Sequence, residues 1–400
     1  MRTAKKKVAR PESMGRLNEK TVFKEIRLDD PISRADIART TGLSKPTVSR
    51  AVDSLLRQNL VFEGDILDGH REVGRKPRGL RFNPKAAVFE SIDIGGTKII
   101  FALGDLSGEL TEQHSVKNPR NWDLAVRTIS DYIEQNLLES STPPNRIKGV
   151  AIAVQGVVDI ERGIVTSAPN MLGPDEYPLK ERLEESLSIP VLIENDGNLA
   201  AIGEFWKNKE KHQDLVYISV GTVIAGAIMI NGRLYRGKNG YAGEIGWLIP
   251  DKRLLFTNHG RFGCLESVAT GPALARKAKE MIQQTSSEQD SLLLNGDVSA
   301  KKIFYAYKRG SPLAKKIVDD WVEDLGIAIS QVSSILDPEL IILAGGLTGS
   351  ADLFLNELRR TVERGTQVSP KIEISELQEK AALYGGLKLC IDYHIKQLFG

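Results

Sequence analysis

The chain has 400 residues, 41% hydrophobic and 26% charged, the balance of a globular protein of two or three domains. No apolar run approaches the ~20 residues that cross a bilayer, no apolar segment follows the basic N-terminus as in a secretory signal, and two cysteines, Cys264 and Cys390, exclude a disulfide framework and point to a reducing cytoplasm. The net charge of +2 is uneven: residues 1–81 hold 19 Lys and Arg against 11 Asp and Glu, a surplus of +8, whereas the remainder, with 35 against 41, carries −6. A polyanionic partner is expected for the first part only; a solvated basic tail is the plainer alternative.

Taken in order, residues 1–10 carry Arg2, Lys5, Lys6, Lys7 and Arg10 with little apolar content, which predicts disorder. A helix is expected over 17–28, with Val22, Phe23 and Ile26 on one face and a stop at Asp29-Asp30-Pro31. Ser33 caps a short helix over 34–41, with Asp36 three residues on and Gly42 at the left-handed C-cap. Ser44 caps a second helix that has Pro46 in its first turn and Val48, Val52, Leu55 and Leu56 as its buried stripe. Two helices joined by a tight turn, the second starting polar and basic, describe a helix-turn-helix. Its start can enter a major groove, so Ser44, Lys45, Pro46, Thr47, Ser49 and Arg50 are the candidate DNA contacts. Residues 60–64 and 79–83 read as two strands of a wing. Between them Arg75, Lys76 and Arg78 form a stiffened basic segment suited to phosphates or a minor groove. The competing reading of this segment is a small helical bundle that binds protein.

Residues 88–106 read as two apolar strands around Gly95-Gly96-Thr97-Lys98, with Asp93 at the lip of the turn. Paired glycines let backbone N–H groups approach an anion, and Lys98 adds positive charge. This suits a nucleotide phosphate; taken alone, it is equally an ordinary hairpin. A helix over 121–139, a buried strand over 147–154, a polar turn at Asn170 and a helix over 179–187 follow. A strand over 189–193 then empties into Glu194-Asn195-Asp196-Gly197-Asn198. Asp196 there can act as a general base on a hydroxyl, with Asn195 bonding its neighbour. The competing reading is an Asp/Asn cap for a helix over 199–206. Strands over 215–220 and 223–230 flank Gly221-Thr222, a second candidate phosphate loop. A strand over 340–343 enters Gly345-Gly346, a junction suited to an adenosine, and a helix over 377–398 closes the chain.

The segment GRKPRGLRFNP and the blocks DIGGTK, IENDGN, ISVGT, INGRLYRG, GEIGW, GCLE and ILAGG stand in the order found in the ROK family (repressor, open reading frame, kinase), which the chain resembles over nearly its whole length. The resemblance implies an α/β fold: a winged helix-turn-helix followed by an actin/hexokinase-like (ribonuclease-H-like) two-lobed core. It implies a basic tail at 1–13, a DNA-binding domain at 14–83, a first lobe at 84–198 with the C-terminal helix 377–400, and a second lobe at 199–376. It also implies Asn170, Asn195, Asp196, Glu244 and Glu266 as sugar-facing residues, with Asp196 matching the catalytic base. Asp93, Gly95, Gly96, Thr97, Lys98, Gly221, Thr222, Gly345 and Gly346 match the nucleotide site.

Two blocks depart from the family pattern. Family members carry Gly-Glu-x-Gly-His and a Cys-x-Cys loop that hold zinc; here Trp247 replaces the histidine, Thr257 and His259 replace the paired cysteines, and Cys264 alone is kept. His259 and Cys264 offer two of the four ligands zinc wants, so zinc is not expected. Trp247 is expected instead to wall the pocket, stacking on a sugar or filling the metal's volume. In the second phosphate loop Val223, Ala225 and Ala227 replace glycines, and are expected to crowd a phosphate. The expectation is therefore a sugar-responsive repressor that binds operator DNA as a dimer or tetramer, with no membrane contact. A Mg-ATP-dependent sugar kinase is the alternative.

Overall fold

The computed structural model describes residues 11–66, 78–139, 147–174, 176–260, 263–284, 293 and 297–400. The basic residues at 1–10 and the wing turn with Arg75 and Lys76 lie outside them.

The head contains α1 (Pro11–Leu28), α2 (Arg34–Thr41), α3 (Lys45–Arg57) and the antiparallel pair β1 (Val61–Ile66) and β2 (Arg78–Phe82). The caps form as the residue types require. Ser33 Oγ accepts the Asp36 N–H at 3.1 Å, and Ser44 Oγ accepts the Thr47 N–H at 3.3 Å. Gly42, at φ 70°, donates its N–H to Ala38 O. Val22, Ile26, Ile37, Val48, Val52 and Leu55 are fully buried together. One expectation is corrected: α1 begins at Pro11, so residues 11–13 belong to a helix and not to the tail. Proline is tolerated in a first helical turn because its missing N–H would have no partner there.

The core holds two five-stranded sheets. The first comprises β3 (Val88–Ile94), β4 (Lys98–Asp105), β5 (Leu110–Lys117), β6 (Ile147–Val154) and β9 (Val191–Asn195), in the order β5-β4-β3-β6-β9. A small pair, β7 (Val157–Asp159) and β8 (Ile164–Ser167), stands beside it. The second comprises β10 (Leu215–Val220), β11 (Ile224–Ile230), β12 (Arg233–Tyr235), β13 (Leu340–Ala344) and β14 (Lys371–Ile374), in the order β12-β11-β10-β13-β14. In both, the first three strands form an antiparallel meander and the last two add in parallel. The same topology thus occurs twice, as a two-lobed ribonuclease-H-like core requires.

Helices α4 (Trp122–Glu139) and α5 (Leu179–Leu187) bury Ile129 and Leu183 against one face of the first sheet, alongside Ile92, Ile94 and Phe101. Helices α7 (Glu266–Ala269), α8 (Gly271–Gln284), α9 (Ala300–Lys308), α10 (Pro312–Leu336) and α11 (Ala351–Gly365) cover the outer face of the second, with Trp321 buried among them. Between the sheets lie α6 (Asp196–Lys207) and α12 (Ala381–Phe399), packed on each other. A side chain at Gly203 would overlap the Ala381 carbonyl, and one at Gly385 the Leu199 carbonyl, so the two backbones touch. The closing helix starts at Ala381 and not at 377, because Gln378 takes a left-handed φ of 50° and a short 3-10 turn intervenes. Among the described residues no helix is long and apolar enough to cross a membrane.

Glu90, central in β3, is buried, and its Oε1 has no partner. Burial, with a smaller push from Glu112, raises its carboxyl from 4.5 to about 8. The native state therefore takes up a proton, and this group's contribution to stability is full below about pH 4.5 and lost as pH rises through 8. Glu90→Gln is expected to raise stability at pH 8 by about 1–3 kcal/mol and to leave it nearly unchanged at pH 4. Denaturant midpoints at the two pH values check this; parallel shifts of parent and variant would refute it.

Candidate functional site

The hairpin between β3 and β4 is pinned from behind. Gly95 N–H closes the turn onto Lys98 O at 3.0 Å. The segment after β5 takes the other carbonyls: Asn118 Nδ2 donates to Gly95 O at 2.7 Å, Arg120 Nε to Gly96 O at 3.0 Å, and Asn118 N–H to Thr97 O at 2.9 Å. Lys98, expected to await a phosphate, instead lies 2.6 Å from Glu379 of the turn before α12. Asp93 stands beside this pair. Burial, then the charge of Asp196, pushes its carboxyl up to about 7, with Lys98 pulling the other way.

At the β9–α6 junction the cap falls to Asn195 and leaves Asp196 facing the cavities. Asn195 is the helix cap, its Oδ1 accepting the Asn198 N–H at 3.0 Å. Its Nδ2 donates to Gly156 O at 2.9 Å. The helix starts at Asp196 rather than 199, and Asp196, freed from capping, lines two cavities at once. Its carboxyl is raised by burial to about 6 despite the Gly197 N–H at 2.9 Å.

The first cavity, of about 380 Å³, is lined by Asn170, Asn195, Asp196, Glu244, Trp247 and Glu266, the six sugar-facing candidates. Asn170 Nδ2 donates to Gln155 Oε1 at 2.7 Å, and Glu266 accepts the Ile224 N–H at 2.8 Å and the Gly263 N–H at 3.2 Å. Burial and the neighbouring Glu266 raise the Glu244 carboxyl. The second cavity, of about 450 Å³, is lined by Asp93, Asp196, Gly345, Gly346 and Glu379. Gly345 has φ 91°, and a side chain there would press on Val220 O, so only glycine lets β13 leave its strand this tightly. Gly221 lies beside Gly346 but is spent on structure: its N–H donates to Val223 O and its carbonyl accepts from Gly271. Thr222 is exposed.

Two expectations are corrected here. Of the residues replacing glycines in the second loop, only Ala225 lines the nucleotide-side cavity, and it lines the other cavity as well. Val223, just before β11, lines the other cavity, and Ala227, within β11, is fully buried. Trp247 does not fill a metal's volume: it is 59% exposed at the cavity wall. Arg78, a candidate DNA contact, is exposed and lies 3.2 Å from Glu63 across the wing hairpin. Where the family's zinc would sit, His259 Nε2 lies 2.6 Å from Leu254 O and 2.7 Å from Thr257 Oγ1. Among the described residues no three His, Cys, Asp or Glu side chains cluster to hold a metal.

One pair escaped the sequence reading. Glu194 is buried and accepts from Asn195 N–H at 2.9 Å, Asn198 Nδ2 at 2.9 Å, Arg236 Nε at 2.8 Å and Arg236 Nη2 at 2.7 Å. Glu194 ends a strand of the first sheet and Arg236 follows β12 of the second, so the pair bridges the lobes directly behind Asp196. On the head, Lys45, Pro46 and Arg50 are exposed at the start of α3, and Thr47 and Ser49 are half-buried. Ser44 and Thr47 are partly spent on each other, their hydroxyls 2.8 Å apart.

A family model described as the ROK family matches residues 89–392. The chain belongs to the ROK family. A MarR family model matches residues 22–71, the helix-turn-helix region. The xylose repressor of Caldicellulosiruptor bescii is 30% identical over 94% of this chain and 95% of its own length. A glucokinase of Halalkalibacterium halodurans is 31% identical over 69% of this chain and 85% of its own length. The solved structure of a ROK family transcriptional regulator, a homologue of the E. coli Mlc protein, matches with a TM-score of 0.81 at 23% identity, over 97% of this chain and 99% of that one. The same ROK core thus serves both repressors and kinases among its relatives.

Removing Arg236 strands the buried Glu194 carboxylate. Arg236→Leu is expected to cost about 2–4 kcal/mol of stability, whereas Arg162→Ala, at an exposed pair, should leave the thermal midpoint unchanged. Thermal unfolding of the two variants beside the parent checks the ranking.

Proposed function

We propose that this protein is a sugar-responsive transcriptional repressor in which carbohydrate bound beside Asp196 lowers the affinity of the head for operator DNA. One observation carries the reading. A single chain joins an exposed recognition-helix start, bearing Lys45 and Arg50, to a cavity where Asn170, Asn195, Asp196, Glu244 and Glu266 converge. Amides and carboxylates in a concave, partly apolar wall suit a polyol, whose hydroxyls supply the donors that carboxylates accept. Ligand acts on DNA binding only if it prefers one arrangement of the lobes over another. The similarity to xylose repressors makes xylose the first sugar to test, and two-fold operator half-sites imply a homodimer or a tetramer built from it. Such a protein works in the cytoplasm, where its DNA is.

The second reading is an ATP-dependent sugar kinase, and Asp196 favours it specifically. It lies between the two cavities with its carboxyl raised to about 6, suited to taking a proton from a hydroxyl that attacks a γ-phosphoryl group. Asp93 and the hairpin N–H groups would hold Mg-ATP. Ala225 in the nucleotide-side wall and Glu379 on Lys98 weigh against it.

Operator binding measured across a sugar panel separates these. The cognate sugar is expected to weaken operator affinity at least about tenfold, and Arg50→Ala and Lys45→Ala should each weaken it and reduce its salt dependence. Mg-ATP turnover abolished by Asp196→Asn, with no sugar effect on the operator, would favour the kinase.

A further inference from the structure

Trp247 is 59% exposed and Tyr241 is 55% exposed, yet both line the cavity that contains Asn195 and Asp196. They stand on consecutive turns: Glu244 N–H donates to Tyr241 O, and Trp247 N–H donates to Glu244 O. Tyr241, Glu244 and Trp247 thus reach the same cavity from successive turns of one segment. The remnants of the metal loop do not shield the tryptophan. His259 is turned onto the Leu254 carbonyl and Thr257, and Cys264 Sγ lies 4.0 Å from that same carbonyl.

Size points the same way. The cavity measures about 380 Å³. One pyranose occupies roughly 180 Å³, about six water volumes of about 30 Å³ each. A single ring hydrogen-bonded to Asn170, Asn195, Asp196 and Glu266 would leave roughly half of that volume unfilled. Aromatic side chains bury large apolar area, and a pyranose offers a flat C–H face to match. A lining that holds both polar groups and two aromatic rings is the complement of a glycoside of two rings, one hydrogen-bonded and one stacked.

We infer that Trp247, flanked by Tyr241, forms a second carbohydrate subsite, and that the effector is a disaccharide or longer glycoside whose outer ring stacks on Trp247 while its inner ring takes the polar end. The inference rests on the sugar-sensor reading and narrows it from a sugar to a glycoside.

The test uses the full chain and its own fluorescence. Of the four tryptophans, Trp122 and Trp321 are buried and Trp206 is half-buried, so Trp247 dominates the solvent-sensitive emission. The chain is titrated with xylose, glucose and fructose, and with xylobiose, cellobiose, maltose and sucrose. One disaccharide is expected to bind at least about tenfold more tightly than either of its component sugars and to blue-shift the emission. Trp247→Ala should erase that advantage, lowering disaccharide affinity by a clearly larger factor than single-ring affinity, both read by calorimetry. Trp247→Phe should keep most of the advantage, since a ring remains. If single rings bind and release the operator but no disaccharide binds better, or if Trp247→Ala weakens both alike, the subsite is overturned and the sensor reading survives. If no carbohydrate of either size binds, both fall together.

Discussion

The structure turns on one backbone-to-backbone contact. Helix α6 begins with Asp196, at the meeting of two cavities, and lies against α12 so closely that Gly203 and Gly385 leave no room for a side chain on either helix. Gly386, next in sequence, sits as tightly over Ser91 of β3. Each of these glycines costs roughly 0.5–1 kcal/mol of helix propensity relative to alanine, and what is gained is an axle without side-chain slack. Protein interiors transmit strain because they are packed to crystal density. Here even the adjustable layer of rotamers is missing at the contact.

That axle reaches the head. The last residue of α12, Phe399, packs its ring 5.6 Å from that of Phe23 on α1. Arg27, one turn further on, lies over the Phe23 and Phe82 rings and donates to Leu106 O at the end of β4. The guanidinium is substantially buried, and desolvation lowers its affinity for its proton. The hydrophobic cluster is continuous through Val22, Leu80, Phe89, Leu387 and Ile391, so the head shares a core with the first lobe instead of hanging from a linker. Any coupling between cleft and head would run through these packed surfaces.

Much of this was legible in the sequence, where the governing interactions are local. Ser33, Gly42 and Ser44 mark helix ends because caps act within three or four residues, and their positions agree with the structure. The strands around Gly95-Gly96 are visible because both are buried runs broken by a turn. What stayed hidden is set by partners far apart in the chain. Lys98 meets Glu379, and Glu194 meets Arg236. Gly385-Gly386 inside a helical pattern is the local signal of that close packing. The helices over 271–336 form the largest buried cluster, yet they carry no motif, since apolar periodicity says that a face is covered and not by what.

The cleft's charge finally decides which ligands it welcomes. Asp93, Asp196 and Glu379 line the nucleotide-side cavity, and Glu244 and Glu266 line the other with Asp196. Lys98 is the cation that meets this set, and it is already paired. Burial, then the charge of Asp196, raises Asp93 to about 7, and burial, with Glu244 adding to it, raises Asp196 to about 6, so both carboxyls hold their protons to higher pH than free ones. A triphosphate entering such a place adds three or four negative charges and needs a divalent cation to offset both its own charge and that of the walls. A polyol adds none. Each of its hydroxyls can donate to an ionised carboxylate or accept from a protonated one, so these walls suit a carbohydrate in either protonation state. The charge that phosphoryl transfer would require a metal to neutralise is, for a sensor of neutral sugars, an ordinary set of hydrogen-bond acceptors.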